Sequence, residues 1–149
     1  MSRGLRSLFA VLLGVGFVSL IVEVLEFAAV NAYAGARIAD MGTYLAIRNE
    51  PLLLGAKVVY NTLAALLAGY ITAKVATGEE MAHAMLAAAV KTAALVWGFT
   101  TDELAGTTPV WMMIVLLATT GPGMLAGAWV RASAVRLEPD TPAETERPA

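Results

Sequence analysis

The sequence predicts an all-α membrane protein, four transmembrane helices in an up-down bundle with both ends in the cytoplasm. Three observations carry that prediction. Hydrophobic residues fill 58% of the 149 positions and charged residues only 15%, for a mean hydropathy of +0.70. An ordinary soluble domain carries about a quarter charged residues. The apolar residues fall in four long blocks rather than in amphipathic stripes, which suits helices with lipid around them. The Lys and Arg residues outside the blocks are unevenly shared between the loops that would face opposite sides, and such a bias sets membrane orientation.

The blocks run from about 8–34, 52–75, 81–99 and 110–130. Each reaches the ~20 residues that cross a ~30 Å hydrocarbon layer. Only helices or closed barrels satisfy the backbone in lipid, and these Ala/Leu-rich blocks are too long for barrel strands. The first block opens on a basic lead with Arg3 and Arg6, and Ala32-Tyr33-Ala34 resembles a cleavage site. Its length and the acids Glu23 and Glu26 argue for a retained span rather than a signal peptide. The loop from Gly35 to Glu50 has room for a short interfacial helix. Pro51 suits the first position of the second helix.

Thr77-Gly78-Glu79-Glu80 reads as a capping box in a tight hairpin, with Thr77 capping the third helix and Glu80 reaching back. The next loop, Thr100 to Thr108, is short and carries Asp102 and Glu103. Thr108 is a candidate cap, with Pro109 as the first residue of the fourth helix. Gly121-Pro122-Gly123 should kink that helix, which neighbouring helices tolerate in a membrane. Trp97, Trp111 and Trp129 fall near span ends, where interfacial aromatics belong. The chain therefore divides into a transmembrane domain, 1–137, and a tail, 138–149. The tail is acidic, proline-rich and poor in apolar residues, hence expected to be disordered.

With the N-terminus inside, the cytoplasmic side holds Arg3, Arg6, Lys74, Arg131, Arg136 and Arg147. The opposite side holds Arg37 and Arg48, with Lys57 just inside the membrane. A multi-pass protein of the inner (plasma) membrane is expected.

The absent residues exclude much chemistry. There is no Cys, so no disulfide, thiolate metal site or thiol catalysis. The single histidine, His83, lies one turn into the third helix and reads as an interfacial residue rather than a ligand. No phosphate loop, nucleophile elbow or metalloprotease helix is present. The net charge of −2 offers no nucleic-acid surface. Neither an enzyme, a metal nor a cofactor is expected; the expected partners are the lipid bilayer and either a second copy or another membrane protein.

What remains is a set of polar groups that lipid would not tolerate. Glu23, Glu26, Lys57, Asn61 and Lys91 fall within or near the spans, and each should face the bundle and find a partner. They share helical stripes with small residues: Gly16, Ser19, Glu23, Glu26; Lys57, Asn61, Ala64, Ala68, Thr72; Ala84, Ala87, Lys91, Ala94, Gly98. Small residues mark close helix packing, so these stripes should face one another. Gly16, Gly69, Gly123 and Gly127 are the packing glycines, the last two forming a small-xxx-small motif. At a rise of about 1.5 Å per residue, Glu23 and Lys57 reach a similar level in the outer half of the membrane. Glu26 lies near the interface, where solvation would suffice. The expected partners of Lys91 are Glu23, Asn61 and free carbonyls near Pro122. Such a cluster suits an internal network that fixes helix pairing. The alternative is a proton or solute path in a small oligomeric transporter using Glu23 and Lys91.

The arrangement resembles a loose group of small, uncharacterised bacterial four-helix membrane proteins. The matching stretches are Leu13-Gly14-Val15-Gly16-Phe17, Ala68 to Ala76, His83, Pro109-Val110-Trp111 and Gly127-Ala128-Trp129-Val130-Arg131. The resemblance covers most of 8–131. It implies the architecture and no activity, and Glu23, Glu26 and Lys91 lie outside its pattern. Glu23, between Val22 and Val24, is also similar to the membrane-embedded acid of proton-coupled small multidrug exporters, but the other helices do not follow that family. The function expected from the sequence is thus a structural or accessory membrane component acting through helix–helix contacts, with the transporter as the alternative.

Overall fold

The computed structural model describes residues 3–76, 78–101 and 106–136. Thr77, the loop acids Asp102 and Glu103, and the tail 138–149 lie outside the described residues. Among the described residues five helices follow one another: α1 (Arg3–Ala34), α2 (Met41–Arg48), α3 (Pro51–Val75), α4 (Glu80–Thr100) and α5 (Val110–Arg136). All but the short α2 are long and apolar enough to cross a membrane.

Local chemistry sets most of the boundaries. Gly35, with φ of +70°, ends α1 in a left-handed conformation that glycine adopts without steric cost. Asp40 caps α2, its Oδ2 accepting from the Thr43 N–H at 2.7 Å. That bond holds its carboxyl below the usual carboxylate range. Pro51 takes the first helical position of α3, where its missing N–H costs nothing.

Two expected boundaries are corrected. The capping box is out of register, because α4 begins at Glu80 and the cap position belongs to Glu79. Glu80 is therefore too early in the helix to reach back. Glu79 itself sits at φ +50° and makes no side-chain cap bond. At the start of α5, the Pro109 carbonyl accepts from Met112 and Met113, so Pro109 precedes the helix rather than opening it. The Thr108 hydroxyl is engaged elsewhere, as described below. Beyond that start, α5 is unbroken through Pro122.

The packing is asymmetric. α3 packs most extensively against α5, then against α1, and α4 packs mainly against α5. The backbones of α1 and α5 do not approach each other, so α3 and α4 lie between them. The core is built from small residues. Ala64, Ala65, Ala68, Ala87 and Ala88 meet Val11, Val18 and Met124, and Ala73, Ala84 and Ala128 form a second cluster. Glycines let backbones touch: a Cβ on Gly69 would lie 1.8 Å from the Met124 carbonyl oxygen, and one on Gly127 1.9 Å from that of Leu66. On Gly123 it would meet the Ala65 Cβ at 3.1 Å. These three are packing glycines. Gly16 is not, because a Cβ there would meet nothing within 4 Å. The close approach on α1 belongs to Gly14, where a Cβ would fall 2.0 Å from the Thr72 hydroxyl oxygen. A lipid-facing helix is apolar all round, so its pattern does not distinguish two glycines two positions apart. Trp97, Trp111 and Trp129 are all exposed, Trp97 to 73%.

Candidate functional site

The polar groups divide into two sets. The first is a paired network between α1, α2 and α3. Glu26 is buried, with 6% of its surface exposed, and its Oε2 accepts from the Lys57 ammonium. Arg48 of α2 places Nη1 3.8 Å from Glu26 Oε1. The expectation that solvent would satisfy Glu26 is therefore corrected: one buried carboxylate serves two cations, and burial without them would cost several kcal/mol. Arg48 also donates to the Thr107 carbonyl and to Thr108 Oγ1, the latter at 2.8 Å. Asn49 Nδ2 donates to the same Thr107 carbonyl at 2.9 Å. α2 is thereby tied to the segment that precedes α5. Deeper in the bundle, Asn61 donates to Thr120 Oγ1 at 2.9 Å, and the Thr120 hydroxyl donates in turn to the Leu116 carbonyl at 2.7 Å. Both residues are buried.

The second set is less complete. Lys91, in the middle of α4, is half-buried, and its ammonium donates to Ser19 Oγ at 2.9 Å. Its partner is thus a neutral hydroxyl on α1, not Glu23, Asn61 or a carbonyl near Pro122. Glu23 is exposed and has no hydrogen bond or ion pair among the described residues. The stripe around Lys91 also changes character along its length. Ala84 and Ala87 are fully buried, whereas Ala94 is exposed and Gly98 is half-exposed.

The two sets face one cavity of about 400 Å³. Ser19, Glu23 and Glu26 of α1 line it, with Lys57 and Asn61 of α3 and Lys91 of α4. Tyr44 and Arg48 of α2 form one wall. Burial and then the Glu26 carboxylate push the Tyr44 phenol above its ordinary range, so it stays a neutral donor. Leu45, Leu95, Phe99 and Leu116 supply an apolar side. All five intramembrane polar residues expected from the sequence therefore border one space. Ser19, Tyr44, Arg48, Thr107 and Thr108 complete the polar lining beyond those five. In the sequence Arg48 reads only as a loop charge. Its one signal there is its place just upstream of a proline-capped span, too generic to mark a site. Outside this cavity, His83 Nδ1 lies 2.9 Å from the Glu79 carbonyl one turn earlier. Among the described residues no three acid or histidine side chains gather to hold a metal ion.

No family model, curated protein or solved structure matches this chain.

Proposed function

We propose that the chain is a carrier-type protein of the plasma membrane that binds a small polar solute in the cavity beside α2. In this reading the helices alternate in direction, both termini are cytoplasmic, and the cavity lies in the outer half of the membrane. Reporter fusions after Ala149 and within 36–50 should then report opposite compartments, cytoplasm and exterior.

One observation carries the reading: Lys91 sits at mid-helix with a neutral hydroxyl as its partner, and it borders a cavity. An ammonium at that depth needs a carboxylate, water or a ligand. A role in fixing helix pairing accounts for Glu26, Lys57, Arg48 and Asn61, each of which has a protein partner. It leaves Lys91 and Glu23 without a purpose, and so the accessory-component reading takes second place. Four helices enclose little room for a complete path, so an oligomer is the expected working form.

Thermal unfolding in mild detergent tests the assignment of Lys91. If its ammonium is hydrated in the cavity, Lys91→Met should change stability by less than about 1 kcal/mol. If it is part of a buried structural pair with Glu23, Lys91→Met should cost about 3 kcal/mol or more, and adding Glu23→Gln should recover much of that loss. That second pattern would return the protein to the structural class.

A further inference from the structure

We infer that the solute is a small organic monoanion, of the short-chain carboxylate class, held by its head group at Lys91. The inference rests on the solute-site reading above. The cavity is bordered by three cations, Arg48, Lys57 and Lys91, and by two carboxylates, Glu23 and Glu26. Glu26 is already committed to Lys57 and Arg48. Arg48 spends further donors on Thr107 and Thr108. Lys91 is different: an ammonium has three donors, and a single hydroxyl takes one of them. Three cations against two carboxylates leave a formal charge of +1 around the space, which one anionic group would balance. Glu23 is exposed at the wall, where water can solvate it.

The apolar part of the lining decides the rest of the ligand. Leu45, Leu95, Phe99 and Leu116 offer an apolar surface that chloride or phosphate would leave unused. A short hydrocarbon chain would cover it. The space of about 400 Å³ falls within the ~300–1,000 Å³ typical of sites for small organic ligands. Ser19 and Asn61, on the same lining, add neutral polar groups beside the head group.

The chain contains no cysteine, so a single introduced thiol reports on one position. Ala94→Cys, in the full chain in liposomes, places a thiol on the cavity wall. It is labelled with anionic sulfonatoethyl methanethiosulfonate and with cationic trimethylammonioethyl methanethiosulfonate. The ratio of the two rates reads the local charge. Adding Lys91→Met should lower the anion-to-cation ratio by about tenfold, while Lys91→Arg should preserve it. Butyrate should slow labelling, whereas butyramide and butylamine should not. If Ala94→Cys reacts but the ratio ignores Lys91→Met, the anion inference is overturned and the solute site stands. The anion inference is likewise overturned if butyrate gives no protection or protects no better than butylamine. If the thiol reacts with neither reagent in the folded protein but does so once unfolded, the solute-site reading itself fails.

Discussion

The same four long helices build two unlike halves. Toward the α3–α4 turn, helices meet at Gly14, Gly69 and Gly127 with no room for a Cβ, and the core is largely alanine. Beneath α2, the helices carry Glu26, Lys57, Asn61 and Lys91 instead, and a cavity of about 400 Å³ opens between them. The difference has a physical cause. Lipid is as apolar as leucine, so transmembrane helices associate through close packing and polar contacts rather than through hydrophobic burial. Small residues bring the first half together. Long charged side chains hold the second half apart, and each must then be satisfied by a partner, by water or by a ligand. One half sets the helix arrangement, and the other leaves a cavity open.

The largest expected effect comes from breaking the packed half. Gly69→Val would drive a side chain into the Met124 backbone, and Gly127→Val would do the same at Leu66. Neither neighbour is a flexible side-chain tip that could move aside, so each should cost about 3 kcal/mol or more in detergent unfolding. Gly16→Ala is the matched control. Its Cβ meets open space, so helix propensity alone acts, and stability should rise by up to about 1 kcal/mol. A severe loss at Gly16 would move the packing face of α1 and undo the contrast.

Next in size is the paired network. Glu26→Gln leaves Lys57 and Arg48 without their shared carboxylate, and a loss of about 3 kcal/mol is expected by the same measurement. Combining it with Lys57→Met should recover part of that loss, since the uncompensated ammonium is gone. Full additivity would show that Lys57 is hydrated from the cavity it lines rather than dependent on Glu26. The smallest effect belongs to the floor of the polar half. Thr120→Val removes the acceptor of the buried Asn61 amide and should cost about 1–3 kcal/mol. An unchanged melting temperature would mean that water replaces the bond at that depth, lowering the boundary between the halves.

Much of this contrast is legible in the sequence. The span lengths follow from block hydropathy, and the short α2 from the length of the loop after α1. The stripe Lys57, Asn61, Ala64, Ala68 and Thr72 faces inward as its spacing implies, since both polar and small residues mark that face. α1 is harder to read. Gly14 and Gly16 are chemically identical, and only the distance to Thr72 separates them. Partner choice is harder still. Glu23 and Glu26 are one helical turn apart, and which of them meets a cation depends on the rotation of α1, which no local pattern records. The cavity itself has no sequence signal: the stripe Ala84, Ala87, Lys91, Ala94 and Gly98 looks uniform and is packed only over its first two members.

That stripe also offers the most direct test of the two unlike halves. Single cysteines at Ala84, Ala87, Ala94 and Gly98 lie on one face of α4, with Ala93→Cys as an exposed position off the cavity wall. Their reaction rates with a small, membrane-impermeant thiol reagent, measured in liposomes, map water along the helix. A step is expected: Ala94→Cys and Gly98→Cys react readily, while Ala84→Cys, Ala87→Cys and the lipid-facing Ala93→Cys are protected. Uniform protection along the stripe, or a rate at Ala87→Cys equal to that at Ala94→Cys, would contradict the division into a packed half and a half that holds a water-accessible cavity.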